Sequence, residues 1–142
     1  MTELVFTYGM LLDPDGFLRT LCSPPARALV PGRALALGGL ADAPLKSGGA
    51  VWGGAWEVDW DVLETLDRFE GVPDLYRRVE TKAVLLGAMG WRVECWIYEM
   101  TARTRRSQIG LTPSEAYVAS IRRGYEWLGL PMEAFERARA SG

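Results

Sequence analysis

The sequence contains no histidine. That removes the commonest general base, the Ser–His and Cys–His nucleophile pairs, and nearly all zinc sites. Any proton transfer must then fall to a carboxylate, a lysine or a tyrosine. Cysteine is scarce: Cys22 and Cys95 are the only two. They show neither a disulfide framework nor metal-ligand spacing, so free thiols in a reducing cytoplasm are expected. No apolar run approaches the ~20 residues of a membrane span. The start, MTELVFTYG, lacks the basic end, apolar core and small-residue cleavage site of a signal peptide. Neither sign of charge is in large excess; a net charge of −2 gives no reason to expect nucleic acid. The expectations are a cytoplasmic monomer or homodimer with no membrane or nucleic-acid partner, no metal and no cofactor.

What is present reads as one domain over residues 1–142, with no repeat, low-complexity tract or dividing linker. Residues 3–9 alternate as a strand that ends at a glycine. Residues 13–22 suit a short helix, and 26–40 one or two strands broken at Pro31–Gly32. A loop over 43–50 leads to a strand at 50–58, where Gly53 and Gly54 permit close approach of other backbone or a ligand. The period then turns helical over 59–70, with Asp59 as the cap. Residues 76–86 and 91–100 return to strand alternation, joined by a GAMG hairpin turn. After a loop at 101–110, TPSE (112–115) reads as a capping box with Thr112 as N-cap. Its helix runs to Leu128 and stops at Gly129, and a last helix covers about 132–139. Strands first and helices last make the class α+β.

Glu70 occupies an unusual place, on the last turn of the 59–70 helix, where the helix dipole disfavours a negative charge by about 0.3–1 kcal/mol. With Leu63 at zero and about 100° per residue, Leu66 falls at about 300° and Glu70 at about 340°. Glu70 therefore lies inside the apolar arc, with Asp67 at its margin and Glu64 pointing away. Burial and the helix end both raise a carboxyl pKa, which suits a group that accepts and returns protons near neutral pH. The alternative is an ion pair with Arg68, Arg77 or Arg78, or a carboxylate bent into solvent. A second candidate is the loop after Tyr8-Gly9, where successive backbone N–H groups can bind a carboxylate or an oxyanion. Tyr117 shares an inward helix face with Ile121, Gly124 and Leu128, and so is either a core tyrosine or a ligand contact. Tyr76 and Tyr98, on strands, carry the same two readings. Arg103, Arg105 and Arg106 read as a solvated loop or a weak anion site.

Three segments in this order, VFTYGMLL, VWGGAWEVDWDVLETLDRFEGVPDLYRR and TPSEAYVASIRRGYEWLGLP, resemble the gamma-glutamylcyclotransferase-like family, which includes gamma-glutamylamine cyclotransferases and AIG2-like proteins. The resemblance implies a small mixed β-barrel with flanking helices and a cavity at one end. It implies that Glu70 matches the family's catalytic glutamate, that Tyr8, Gly9, Met10 and Leu11 match the loop whose main chain holds the substrate, and that Tyr117 matches a substrate-contacting tyrosine. The implied reaction is an internal aminolysis. The α-amino group of a γ-glutamyl unit attacks its own γ-carbonyl, giving 5-oxoproline and a free amine, with a small γ-glutamyl molecule as the only partner. In one respect the chain departs from the family: serine or threonine usually follows Tyr-Gly, and here Met10 does. That departure favours the alternative of a catalytically silent module that uses the cavity to bind a small carboxylated ligand or a protein partner. A third reading, a nucleic-acid-binding barrel, rests on TARTRR and the aromatics alone.

Overall fold

The computed structural model describes residues 2–87 and 90–141. Its strands are β1 (Thr2–Thr7), β2 (Ala26–Arg33), the two-residue β3 (Ala36–Leu37) and β4 (Ala41–Asp42), the long β5 (Leu45–Asp59), β6 (Tyr76–Leu85) and β7 (Arg92–Met100). Five of them close a barrel in the order β1-β5-β2-β6-β7, and β3 pairs with β4 beside it. The barrel is mixed. Its seam is the parallel pair β1–β7, with Val5 opposite Trp96 and Phe6 opposite Ile97, while every other neighbour is antiparallel. The architecture is thus the α+β barrel with flanking helices that the sequence led us to expect.

Strand alternation divides the apolar residues between two clusters, because successive side chains point to opposite faces. Phe6 and Tyr8 join Val30, Ile97, Ile121 and Phe135 in one cluster. Val5 joins Trp56, Leu63, Leu66, Tyr76 and Tyr98 in the other. Gly53 has a definite task in this arrangement. A Cβ there would lie 2.1 Å from the Thr7 carbonyl oxygen, so only glycine lets β5 pass β1 at this distance.

Several elements differ from the sequence reading. β2 runs unbroken through Pro31–Gly32 to Arg33, because Gly32 takes a positive φ of 80° at a register shift. Arg33 then pairs with Leu45, and β5 begins there rather than at residue 50. Residues 101–110 are not all loop: α3 (Ala102–Ser107) forms after α1 (Phe17–Leu21) and α2 (Trp60–Phe69) in the chain, and Thr101 caps it. The next helix, α4 (Glu115–Leu128), is capped by Ser114, whose Oγ accepts from the Tyr117 amide at 3.1 Å. Thr112 stands too far upstream to reach that amide, and Pro113 precedes the cap instead of following it. Gly129 ends α4 in the left-handed conformation, and α5 (Met132–Ser141) follows. The expected GAMG turn includes Ala88 and Met89, which lie outside the described residues. Among the described residues no helix is long and apolar enough to cross a membrane.

Candidate active site

Asp59 starts α2 by accepting the Val62 amide at 2.9 Å, and Leu63 and Leu66 seat the helix, both fully buried. Gly71 stops it. With φ 67°, Gly71 donates to the Arg68 carbonyl, and Val72 donates to the Asp67 carbonyl, a Schellman closure in which Glu70 is the final right-handed residue. A Cβ at residue 71 would also meet Leu75 at 2.9 Å. The turn thus fixes Glu70 on the face that Leu63 and Leu66 bury, at the edge of the core. Phe69, also in the apolar arc by period, is 47% exposed and packs edge-on against Phe17.

Glu70 has no arginine. Arg68 donates to Thr65, Arg77 pairs with Glu99, and Arg78 pairs with Asp67 at 2.8 Å. Burial, with no compensating cation, pushes the Glu70 carboxyl up to about 7. All three partners that would have made it a structural ion pair are committed elsewhere.

Facing Glu70 is the turn after β1. Met10–Leu12 form one turn of 3₁₀ helix, whose leading amides have no partner within the turn. Among the described residues, the N–H groups of Gly9, Met10 and Leu11 donate to no protein acceptor. α4 braces this turn from behind. A Cβ on Gly124 would lie 2.4 Å from Leu12 Cβ, so glycine brings helix and turn into direct contact. Just beyond, Asp13 accepts from Ser120 at 2.9 Å and from Arg123 at 2.6 Å.

Between these parts lies a cavity of about 170 Å³, at the junction of the two core clusters. Glu70, Tyr76, Tyr98 and Tyr117 line it, as do Tyr8, Gly9, Met10 and Leu11. The eight residues expected from sequence for catalysis and substrate binding are therefore brought to one hollow. Arg103, Arg105 and Arg106 are not; Arg105 pairs with Asp42 at 2.7 Å.

The four tyrosines differ in a way the sequence does not reveal. Tyr8 donates to the Tyr98 carbonyl, Tyr76 to the Ala41 carbonyl and Tyr98 to Asp67 Oδ1, each at 2.6 Å. Their protons are committed. Tyr117 instead accepts, from the Ala41 amide at 3.0 Å, and among the described residues its own proton goes to no protein acceptor. The Tyr117 hydroxyl also lies 3.7 Å from the point where a Gly9 Cβ would stand, so it borders the free amides of the turn. Burial pushes the phenol up to about 12, so it remains a proton donor at neutral pH. Burial likewise raises Tyr8 well above the ordinary phenol value, with the Tyr76, Asp42 and Glu70 charges adding to it.

Sequence reasoning missed several parts of this wall. Ala41 supplies both backbone groups that hold Tyr76 and Tyr117, yet an alanine in a two-residue strand carries no pattern. Asp67 orients Tyr98 and holds Arg78; its place at the margin of the helical arc was the available signal. Leu40, Phe69 and Leu75 also line the cavity.

Residues 5–119 match the family described as "Gamma-glutamyl cyclotransferase, AIG2-like". The chain belongs to this family. Gamma-glutamylaminecyclotransferase of Bos taurus is 41% identical over 51 residues, which are 36% of this chain and 30% of the bovine protein. The chain thus matches less than a third of that curated relative's length. A solved structure named gamma-glutamyl cyclotransferase superposes with a TM-score of 0.78 at 25% identity, covering 99% of this chain and 88% of the other. An uncharacterized protein of Homo sapiens gives 0.74 at 27% identity, covering 98% and 87%. The family likeness thus extends over the barrel and both halves of the cavity wall.

Proposed function

We propose that the protein is a cyclotransferase that converts a γ-glutamyl compound into 5-oxoproline and a free amine, with Glu70 carrying the proton. The observation behind this reading is an unpaired carboxyl group, raised to about 7, in a cavity that also holds unpaired amide donors and a free phenol proton.

Ring closure is intramolecular, so the cavity gains most by holding amine and carbonyl in an attacking pose. Glu70, as carboxylate, accepts a proton from the substrate α-ammonium. The freed amine attacks the γ-carbonyl carbon, forming the new C–N bond and an oxyanion. Glu70 delivers the first proton to the departing nitrogen as the old C–N bond breaks and, a carboxylate again, takes the second proton from the ring nitrogen and passes it to the released amine. The lactam keeps one N–H, and the released amine takes up the remaining protons. The amides of Gly9, Met10 and Leu11, together with the Tyr117 hydroxyl, hold either the oxyanion or the substrate α-carboxylate. Tyr8, Tyr76 and Tyr98, their protons committed, shape the wall. Main-chain donors do not depend on the side chain at residue 10, so methionine there leaves them in place.

The test is incubation with a panel of γ-glutamyl amino acids, peptides and amines, with 5-oxoproline detected by mass spectrometry. Formation of product that vanishes in Glu70→Gln is the expected result. The alternative of a silent binding module, favoured by Met10, predicts tight binding of a panel member with no product.

A further inference from the structure

The identity of the leaving amine is written in the part of the cavity that faces water. Ten of its lining residues are buried or half-buried. The four exposed ones form its mouth: Met10 at 39%, Leu40 at 37%, Phe69 at 47% and Leu75 at 52%. They come from four separate segments, namely the 3₁₀ turn, the β3–β4 connection, the last residue of α2 and the turn before β6. All four are apolar. Among the described residues no arginine or lysine lines the cavity, and the nearest in sequence are occupied: Arg77 by Glu99, Arg78 by Asp67, Arg105 by Asp42.

At about 170 Å³ the cavity is smaller than the roughly 300–1,000 Å³ pockets that enclose drug-sized ligands. It accommodates a compact unit such as γ-glutamyl, leaving the amine side of the scissile amide in the mouth. A γ-glutamyl amino acid or peptide carries a carboxylate or a further amide one carbon from the leaving nitrogen. In this mouth such a group would shed water against Met10, Leu40, Phe69 and Leu75 and find no cation in return, the amides of residues 9–11 being taken up by the γ-glutamyl unit.

We infer that, given the cyclotransferase reading above, the preferred substrates are γ-glutamyl amides of apolar amines that lack a carboxylate, selected by Met10, Leu40, Phe69 and Leu75. γ-Glutamyl amino acids and peptides are the poorer class.

Two comparisons test this on the whole chain. γ-Glutamylphenethylamine and γ-glutamylphenylalanine differ only in the carboxylate on the leaving group. The amine derivative should show a kcat/KM higher by about tenfold or more. γ-Glutamylmethylamine, which lacks the apolar body, should fall below γ-glutamylphenethylamine. Leu40→Arg, with Leu75→Lys as a second variant in case the first folds poorly, should narrow the phenethylamine-to-phenylalanine ratio by supplying a cation. Equal rates, or a preference for γ-glutamylphenylalanine, would overturn this inference while leaving the cyclotransferase reading intact. Absence of 5-oxoproline from every compound would overturn both.

Discussion

Two regions of this molecule bury carboxylates under opposite rules. Beside the cavity, Glu99 is 5% exposed and accepts from Arg33 at 2.7 Å and from Arg77. Asp42, equally buried, holds Arg105 at 2.7 Å and accepts the Met100 amide at 3.1 Å. Burial alone would raise Glu99, but hydrogen bonds from the two arginines outweigh it and hold the group below the usual carboxylate value. Glu70 is shielded too, yet receives no cation and moves up to about 7. Removing an ion from water costs several kcal/mol, and this fold offsets that cost at Glu99 and leaves it standing at Glu70. The difference is legible as chemistry. An acid that must stay ionised is given guanidinium partners, whereas Glu70 is given none, which is what the proposed proton exchange with a substrate ammonium requires.

The sharpest way to break this contrast is to neutralise each acid. Glu70→Gln should lower kcat/KM by about 10²–10⁴-fold, the usual range for loss of a general acid–base group. In the parent protein kcat/KM should fall as pH drops below about 7, as Glu70 becomes protonated. An active Glu70→Gln enzyme with the same acid limb would show that another group moves the proton. Glu99→Ala should act on the fold instead. It strands Arg33, which is 7% exposed and retains only the Ala43 carbonyl, and should cost about 3 kcal/mol in urea unfolding. An unchanged unfolding midpoint would remove the structural half of the comparison.

Why Glu70 was readable and its neighbours less so is a matter of range. Its position follows from the 3.6-residue period set by Leu63 and Leu66 and from the glycine behind it, all within nine residues. The strand alternation and the helix stop at Gly129 are equally local. The Arg33–Glu99 and Arg105–Asp42 pairs span 66 and 63 residues, and no local pattern announces them. β3 and β4 are too short for a period, so Ala41 and Leu40 could not be assigned to the cavity wall. Ser114 displaces Thr112 as the α4 cap because helix capping depends on which oxygen reaches the third amide, and TPSE offers two candidates. Position in the family's motifs brought Tyr8, Tyr117 and the 9–11 turn into view. The direction of each tyrosine's hydrogen bond required coordinates.

The hydroxyls should divide as the acids do. Tyr117 has a free proton, and Tyr117→Phe should lower kcat/KM by about 10–100-fold, the value of one hydrogen bond to a charged group. Tyr76→Phe removes a proton already given to the Ala41 carbonyl, and should act on stability more than on turnover. Equal kinetic losses in the two variants would mean that hydroxyl direction does not distinguish them.

The smallest effect has the most informative sign. A folded-state pKa near 7 lies above the ordinary carboxyl value of 4.5, so between those pH values the native chain binds more protons than the unfolded one. The contribution of Glu70 to stability is therefore best at low pH, worsens as pH rises through that window, and is fully unfavourable above about 7. This is the reverse of Glu99, whose lowered pKa stabilises the fold above the unfolded carboxyl value and loses that contribution as acid protonates it. Glu70→Gln does not titrate. Its stability relative to the parent should therefore rise by about 2 kcal/mol from pH 5 to pH 8, because desolvation of the amide is the same at both and cancels from that difference. Unfolding in urea at both pH values reads the difference directly. A constant offset at the two pH values would mean that Glu70 titrates normally in the fold, and the two kinds of buried acid would become one.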